Sequence, residues 1–312
     1  MPHLSGMKAK GKYSYCLNKH KVKIILAYSG LALAVLNWAA NTTIARGVVF
    51  DIKPMALSFF RWATAFIIIL PFALKYLKHD NLIIRKNIKS LFVLSIFSVA
   101  LYNSLLYVGA QYTTATNISL VVATMPGITL ILAWLINREK PTFMKVAGVI
   151  IALCGMSVTI SKFSLDNLVG MNFNKGDMFT VFSIISWALY SVLLKRSGID
   201  IHPVSLLTVL IFFGTLLIFP FYLWEFFVFA GFTVNAKTVL IFLFLAVFPS
   251  IISYICWNHG VKTVGPGTAA MFMNLLPIFT AFFAFFFLGE KIYFYHIVGG
   301  VSIFVGLYIA RG

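Results

Sequence analysis

Acid is what this chain has least of. Its 312 residues include eight carboxylates, Asp51, Asp80, Glu139, Asp166, Asp177, Asp200, Glu225 and Glu290, and each falls in a loop or at the end of an apolar segment. A proton-driven carrier usually keeps an acid at membrane depth to load and release its proton. The pattern therefore points away from proton coupling. Cysteine is scarce too: Cys16, Cys154 and Cys256 form neither a disulfide framework nor a metal spacing, and they read as small apolar packing residues. His3, His20, His79, His202, His259 and His296 are scattered and make no ligand cluster, so no metal is expected. No phosphate-binding glycine loop occurs, which excludes ATP as the driver and leaves no cofactor to expect. An intramembrane enzyme would need clustered Asp, His or Ser–Lys groups at depth, and none is seen, so no catalytic residues are assigned.

Charge of either sign makes up only 11% of the chain, while 61% is hydrophobic and the mean hydropathy is +0.94. A soluble domain of this length could not hide so much apolar surface. Ten apolar spans can be read, at roughly 24–45, 57–77, 90–110, 114–136, 143–161, 177–195, 204–225, 238–258, 267–288 and 293–310. Each is near the ~20 residues that a helix needs to cross ~30 Å of hydrocarbon. Phe282 to Leu288 is continuously apolar, without the in–out alternation of a membrane barrel strand. The expected fold is an all-α integral membrane protein. The first span outruns the apolar core of a signal peptide and holds Asn37, Trp38 and Asn41, so it reads as a retained helix.

The net charge of +17 invites a nucleic-acid reading, but its distribution points elsewhere. With the N-terminus in the cytoplasm, eighteen of the 25 Lys and Arg fall on the cytoplasmic side. Six, Arg46, Lys53, Lys162, Lys175, Lys237 and Lys291, fall outside, and Arg61 lies within a span. That imbalance orients the chain with both ends inside. The partners expected are a small-molecule substrate and membrane lipids, in a monomer or weak homodimer, with no nucleic acid.

The chain repeats itself. Gly109, Pro126, Thr129, Glu139, Lys140, Gly148 and Gly155 return 151 positions later as Gly260, Pro277, Thr280, Glu290, Lys291, Gly299 and Gly306. Earlier in each half the offset is 149, relating Trp38 to Trp187, Pro54 to Pro203 and Pro71 to Pro220, so two residues are inserted between the second and third spans of the second half. Each half holds five spans. Five is odd, so the second copy enters the membrane from the opposite side, the inverted-repeat layout of alternating-access carriers. The divisions expected are a basic tail at 1–22 without ordered structure, a first repeat at 23–162 and a second at 177–311.

Several stretches carry a family resemblance. In the first half they are Leu106 to Asn117, Met125-Pro126, Arg138-Glu139-Lys140, Gly148 and Gly155. In the second they are Trp257-Asn258, Gly265-Pro266, Asn274 to Pro277, Leu288 to Lys291, Gly299-Gly300 and Gly306. Together they resemble the repeat signature of the EamA group in the drug/metabolite transporter superfamily, over about residues 24–310. Ala39 and Asn137-Arg138 depart from it, standing where the family often has Gly and Leu-Gly. The resemblance implies a ten-helix secondary transporter for small metabolites, with spans 1, 3, 4, 6, 8 and 9 around a central cavity.

Polar side chains are costly in lipid unless they face protein or water, and their spacing selects candidate substrate-binding residues. The first span offers Asn37, Trp38 and Asn41, the third Tyr102, Asn103 and Tyr107, and the sixth Trp187 and Tyr190. The eighth offers Tyr254, Trp257 and Asn258, and the ninth Asn274. The offsets pair Asn41 with Tyr190, Asn103 with Tyr254 and Tyr107 with Asn258. Singly, each could simply join helices; the matched set favours a shared cavity. Such an aromatic and amide lining suits a neutral, zwitterionic or flat cationic solute. Pro126 and Pro277 are equivalent and read as mid-helix kinks with a gating role. Arg61 reads as a side chain snorkelling to the outer interface, because the second span is peripheral in the family. Glu139-Lys140 and Glu290-Lys291 read as ion pairs closing helix ends. Reporter fusions after Lys89 and after Lys175 are expected to read cytoplasmic and external respectively; the same side for both would overturn the five-plus-five scheme.

Overall fold

The computed structural model describes residues 4–48, 51–113, 118, 121–122, 124–161, 164, 166, 175–288 and 294–310, and among them all regular structure is helical. In chain order the helices are α1 (Leu4–Val48), α2 (Pro54–Lys86), α3 (Ile88–Tyr112), α4 (Met125–Asn137), α5 (Phe143–Ser161), α6 (Lys175–Ser197), α7 (Pro203–Phe229) and α8 (Ala236–Val264). Then come α9, in the pieces Pro266–Met271, Phe272–Leu275 and Leu276–Leu288, and α10 (Phe294–Ala310).

Six helical stretches are long and apolar enough to cross a membrane: Lys21–Ala45, Pro54–Lys86, Ile88–Tyr112, Lys175–Ser197, Pro203–Phe229 and Ala236–Val264. The other expected spans correspond to the shorter apolar helices Met125–Asn137, Phe143–Gly155 and Ile297–Gly306 and to the interrupted α9. Large apolar side chains such as Ile67, Phe72, Leu82, Phe143 and Phe227 stand exposed on the outside, the surface that lipid covers. The expected unstructured tail is instead helical from Leu4 and runs unbroken into the first span. No proline follows Pro2 until Pro54, so nothing in the sequence stops that helix.

Packing follows the repeat. α1 lies against α8 and α9, and α6 against α3 and α4, the same contacts once each helix is exchanged for its repeat partner. α2 pairs with α7 and α5 with α10 across the division. The α3–α6 pair is antiparallel: Gly109 meets Gly176 at one end, while Ser183 and Ser186 donate to the carbonyls of Tyr102 and Phe97 further along. The repeat-related α1–α8 pair is antiparallel too, with Leu31 on Gly260 at one end and Trp38 on Pro249 further along. Gly109 and Gly260 are the equivalent points of closest approach. A Cβ on Gly109 would sit 2.9 Å from both the Gly176 carbonyl oxygen and Thr180 Oγ1. In lipid, where helices gain no hydrophobic force from each other, such small residues let backbones pack closely.

Two irregularities also repeat. α3 passes through a π-helical turn at Ile96–Leu101 and α8 through one at Ala246–Ile252, positions that the 151-residue offset superimposes. Pro126 sits in the first turn of Met125–Asn137, just after a turn at Thr124. Pro277 sits within the continuous helical stretch 266–288, just after its 3-10 segment at Phe272–Leu275, so an irregularity precedes each proline. At the end of α4, Arg138 is left-handed, with φ 59°, the conformation that suits glycine. That explains why glycine is usual at this position in the resembled family. Glu139 accepts from Asn137 Nδ2 rather than Lys140, and Glu290 and Lys291 lie outside the described residues.

Gly109→Ala is expected to destabilise the purified protein by about 1–3 kcal/mol through overpacking. Gly127→Ala, where an added Cβ meets nothing within 4 Å, should be neutral or slightly stabilising. Thermal denaturation in detergent compares the two.

Candidate functional site

Carbonyls within the two π turns accept side-chain hydrogen bonds at the centre of the bundle. A π turn shifts the hydrogen-bond ladder by one residue, and Phe248 O keeps a backbone donor, Ser253 N–H. In α8, Phe248 O accepts from Asn37 Nδ2 and Pro249 O accepts from Trp38 Nε1. In α3, the equivalent Phe97 O accepts from Ser186 Oγ, and Ser186 is the repeat partner of Asn37. Ser98 O, the partner of Pro249 O, accepts from Tyr254 OH and Asn103 Nδ2.

Two further hydrogen bonds are related by the repeat. Tyr107 OH donates to Asn41 Oδ1 at 2.9 Å, and Tyr190 OH donates to Asn258 Oδ1 at 2.5 Å. The offsets carry the first pair onto the second with Tyr and Asn exchanged. Between them, Asn103 Nδ2 reaches Tyr254 OH at 3.1 Å, joining two equivalent positions directly. Trp38 and Trp187, also equivalent, meet edge to face with ring centroids 5.1 Å apart. The pseudo-twofold axis therefore runs beside these pairs. Around it, Tyr102, Tyr190, Tyr254 and Trp257 each pack against Trp187, with centroids 4.6 to 5.5 Å away. Trp257 Nε1 donates to Ser191 Oγ.

Asn37, Trp38, Asn41, Tyr102, Asn103, Tyr107, Trp187, Tyr190, Tyr254, Trp257, Asn258 and Asn274 are all buried, and all but Asn37 and Asn274 join one network of rings and amides; Asn37 instead bonds Ser253 Oγ and Phe248 O. Asn274 lies apart from that network, in the 3-10 stretch before Pro277. Both of its polar atoms lack a hydrogen-bond partner among the described residues, as do Trp187 Nε1 and Asn258 Nδ2. Buried polar atoms are rarely left so, and in the first repeat Trp62 Nε1, beside Arg61, is left so too.

Arg61 is not at the interface. It is fully buried, seven residues or about 10 Å into α2, and it holds the first repeat's half of the site together. Its Nε donates to Ser250 Oγ at 2.6 Å; Nη1 donates to Asn103 Oδ1 at 2.8 Å, Tyr107 OH at 2.6 Å and Asn41 Oδ1 at 3.4 Å; Nη2 donates to Pro249 O at 3.1 Å. The guanidinium carbon also lies 4.9 Å from the Trp62 ring centre. The peripheral place of the second span misled the sequence reading, because a long side chain on an outer helix still reaches the axis. Its repeat partner, 149 residues on, is the buried Leu210, and that break in symmetry was the available signal. Ser98, Pro249 and Ser250 were missed because no sequence rule marks a π turn.

Three carboxylates are buried, but away from this network. Asp80 accepts the His202 N–H, Asp177 accepts from Thr113 Oγ1, and Glu225 accepts the Met55 and Ala56 N–H groups that open α2. An acid at a helix N-terminus satisfies free N–H groups and complements the dipole. Asp177 lies in the first turn of α6, and Asp80 and Glu225 lie towards the C-terminal ends of α2 and α7. Among the described residues no group of His, Cys, Asp and Glu could hold a metal ion.

The model of the EamA-like transporter family matches residues 25–161 and again 174–312. The chain belongs to this family. An uncharacterized transporter of Bacillus subtilis, YyaM, is 30% identical over 234 residues, covering 73% of this chain and 75% of its own. One from Archaeoglobus fulgidus is 26% identical over 286 residues, covering 89% and 95%. A WAT1-related protein of Arabidopsis thaliana is 24% identical over 317 residues, covering 93% and 86%. A crystal structure shares the fold with a TM-score of 0.68 at 15% identity, covering 93% of this chain and 96% of its own. This EamA-family chain is thus a multi-pass membrane protein of a transporter family, built from a duplicated unit.

Tyr190→Phe strips Asn258 Oδ1 of its partner beside an amide nitrogen that already has none, and should cost about 1–3 kcal/mol. Tyr107→Phe leaves Asn41 Oδ1 with Arg61 but removes the acceptor 2.6 Å from the buried guanidinium, and should cost about 1.5–3 kcal/mol. Both variants should melt below the unaltered protein, and an unchanged melting temperature for either would show that its hydrogen-bond assignment is wrong.

Proposed function

We propose that this chain is a secondary transporter of ten membrane-spanning helices that carries a small metabolite by alternating access. The substrate class we favour is an amino acid or a related zwitterionic or cationic amphiphilic metabolite. The protein would act as exporter, facilitator or exchanger, driven by the substrate's own gradient, in the cell's inner membrane with both termini in the cytoplasm. It would act without catalytic chemistry or a cofactor. One observation supports this most: the hydrogen bonds Tyr107–Asn41 and Tyr190–Asn258 are exchanged by the inverted repeat around one aromatic centre. A two-fold arrangement of this kind supplies two equivalent closures on opposite sides of one site, which alternating access requires.

Energy coupling through the substrate gradient agrees with the placement of Asp80, Asp177 and Glu225 at helix ends rather than in the central network. Aromatic faces with amides offer stacking and cation–π contact, which also fits S-adenosylmethionine or a nucleoside as the second reading. A membrane scaffold would have no use for a polar axis whose residues match between halves.

Uptake of candidate solutes into vesicles containing the pure protein tests the reading. Asn37→Ala, Tyr107→Ala, Trp187→Ala and Asn258→Ala should each weaken transport by about 1–2 kcal/mol, the value of a lost hydrogen bond or stacked ring, with membrane insertion intact. Normal transport by all four variants would remove the central network from the mechanism.

A further inference from the structure

Arg61 carries a full charge where the fold does not need one. The same place in the second repeat is filled by Leu210, equally buried, so hydrocarbon serves the packing there. Among the described residues Arg61 is the one buried Lys or Arg, and its five hydrogen-bond acceptors, on Ser250, Asn103, Tyr107, Asn41 and Pro249, are all neutral. None of the described carboxylates pairs with it; the three buried ones are engaged elsewhere. Burying a cation without an anion is expensive, and an ionisable group inside a membrane bundle marks a functional site by default.

The geometry points to the missing anion: we propose that Arg61 is the residue that recognises the carboxylate of a transported α-amino acid. The inference rests on the transport reading above and names the group of the substrate that selects it. Nη1 has two hydrogens but faces three acceptors, and the Asn41 contact is long, at 3.4 Å. Acceptors can therefore be exchanged at Nη1 without stranding a donor. Nη1 and Nη2 form the planar fork that matches a carboxylate with two parallel hydrogen bonds. A carboxylate there displaces Asn41 Oδ1 from Nη1 and Pro249 O from Nη2. Both are oxygen acceptors, and beside the Tyr107 and Trp38 donors that each retains, each has a second lone pair to receive the ammonium group that an α-amino acid carries beside its carboxylate. A single buried cation balances a single negative charge, which selects a monocarboxylate zwitterion over a dianionic phosphate. The rings of Trp38, Trp62 and Tyr254 beside this pole provide an apolar wall for the side chain.

The test exposes empty proteoliposomes of the full chain to one external pool: the twenty common amino acids, their carboxamides, adenosine and S-adenosylmethionine, with internal contents read by mass spectrometry. The expected result is entry of one or more amino acids at least tenfold faster than the matching amide. Entry of those acids should fall at least tenfold in Arg61→Gln and be partly kept in Arg61→Lys. Equal entry of acid and amide, or undiminished entry of acids in a folded Arg61→Gln, overturns the assignment. Should either variant fail to fold, the acid-against-amide comparison on the unaltered protein decides alone. Entry of adenosine only would overturn the inference and leave the transport reading standing. No entry of any compound would overturn the transport reading itself.

Discussion

Away from water, every backbone N–H and C=O must find a partner inside the protein, and the centre of this molecule follows from that constraint. Regular helix satisfies most of these groups. Where α3 and α8 pass through π turns, the carbonyls of Phe97, Ser98, Phe248 and Pro249 accept from side chains, Phe248 O in addition to its backbone bond from Ser253. Ser186, Tyr254, Asn103, Asn37, Trp38 and Arg61 meet them. The polar residues of the axis are thus placed by the irregularities of two helices, and the inverted repeat makes each irregularity occur twice.

The two halves use the same scaffold differently. In the first repeat, Arg61 ties Asn41, Asn103 and Tyr107 into one cluster, with Trp62 Nε1 beside it unpartnered among the described residues. In the second, Leu210 contributes no polar atom, and Trp187 Nε1, Asn258 Nδ2 and both polar atoms of Asn274 are without partners. One pole is rich in donors and charge, the other holds unsatisfied amides. A partnered network rigidifies its surroundings, whereas unsatisfied polar atoms carry a cost that a ligand or a rearrangement can relieve.

Much of this was legible in the sequence. The 149- and 151-residue offsets identified Asn103 with Tyr254, which the structure joins by a hydrogen bond, and Asn41 with Tyr190 and Tyr107 with Asn258, which it joins crosswise as Tyr107–Asn41 and Tyr190–Asn258. The helices followed from unbroken apolar runs, and Gly109 and Gly260 from their matched positions. Helix irregularity was not legible. A π turn has no compositional signature, so Ser98 and Pro249 looked like ordinary span residues, and the irregularity before Pro126 and Pro277 went unmarked. Arg61 was misjudged because depth was inferred from helix rank rather than reach. A guanidinium on a four-bond stem reaches well beyond its own helix surface, and only contacts reveal which way it points.

The central claim is that the two repeat-related helix contacts open in alternation around the shared axis. Tyr112 and Met178 flank the α3–α6 contact, and their repeat partners, Thr263 and Ser29, flank the α8–α1 contact. Spin-label distances for each pair, in lipid and in a background free of Cys16, Cys154 and Cys256, test it most directly. The account predicts that cross-linking the first pair narrows it and shifts the second pair towards its longest distances, and the reverse when the second is cross-linked. Two pairs that widen together, or a second pair indifferent to the state of the first, would contradict it.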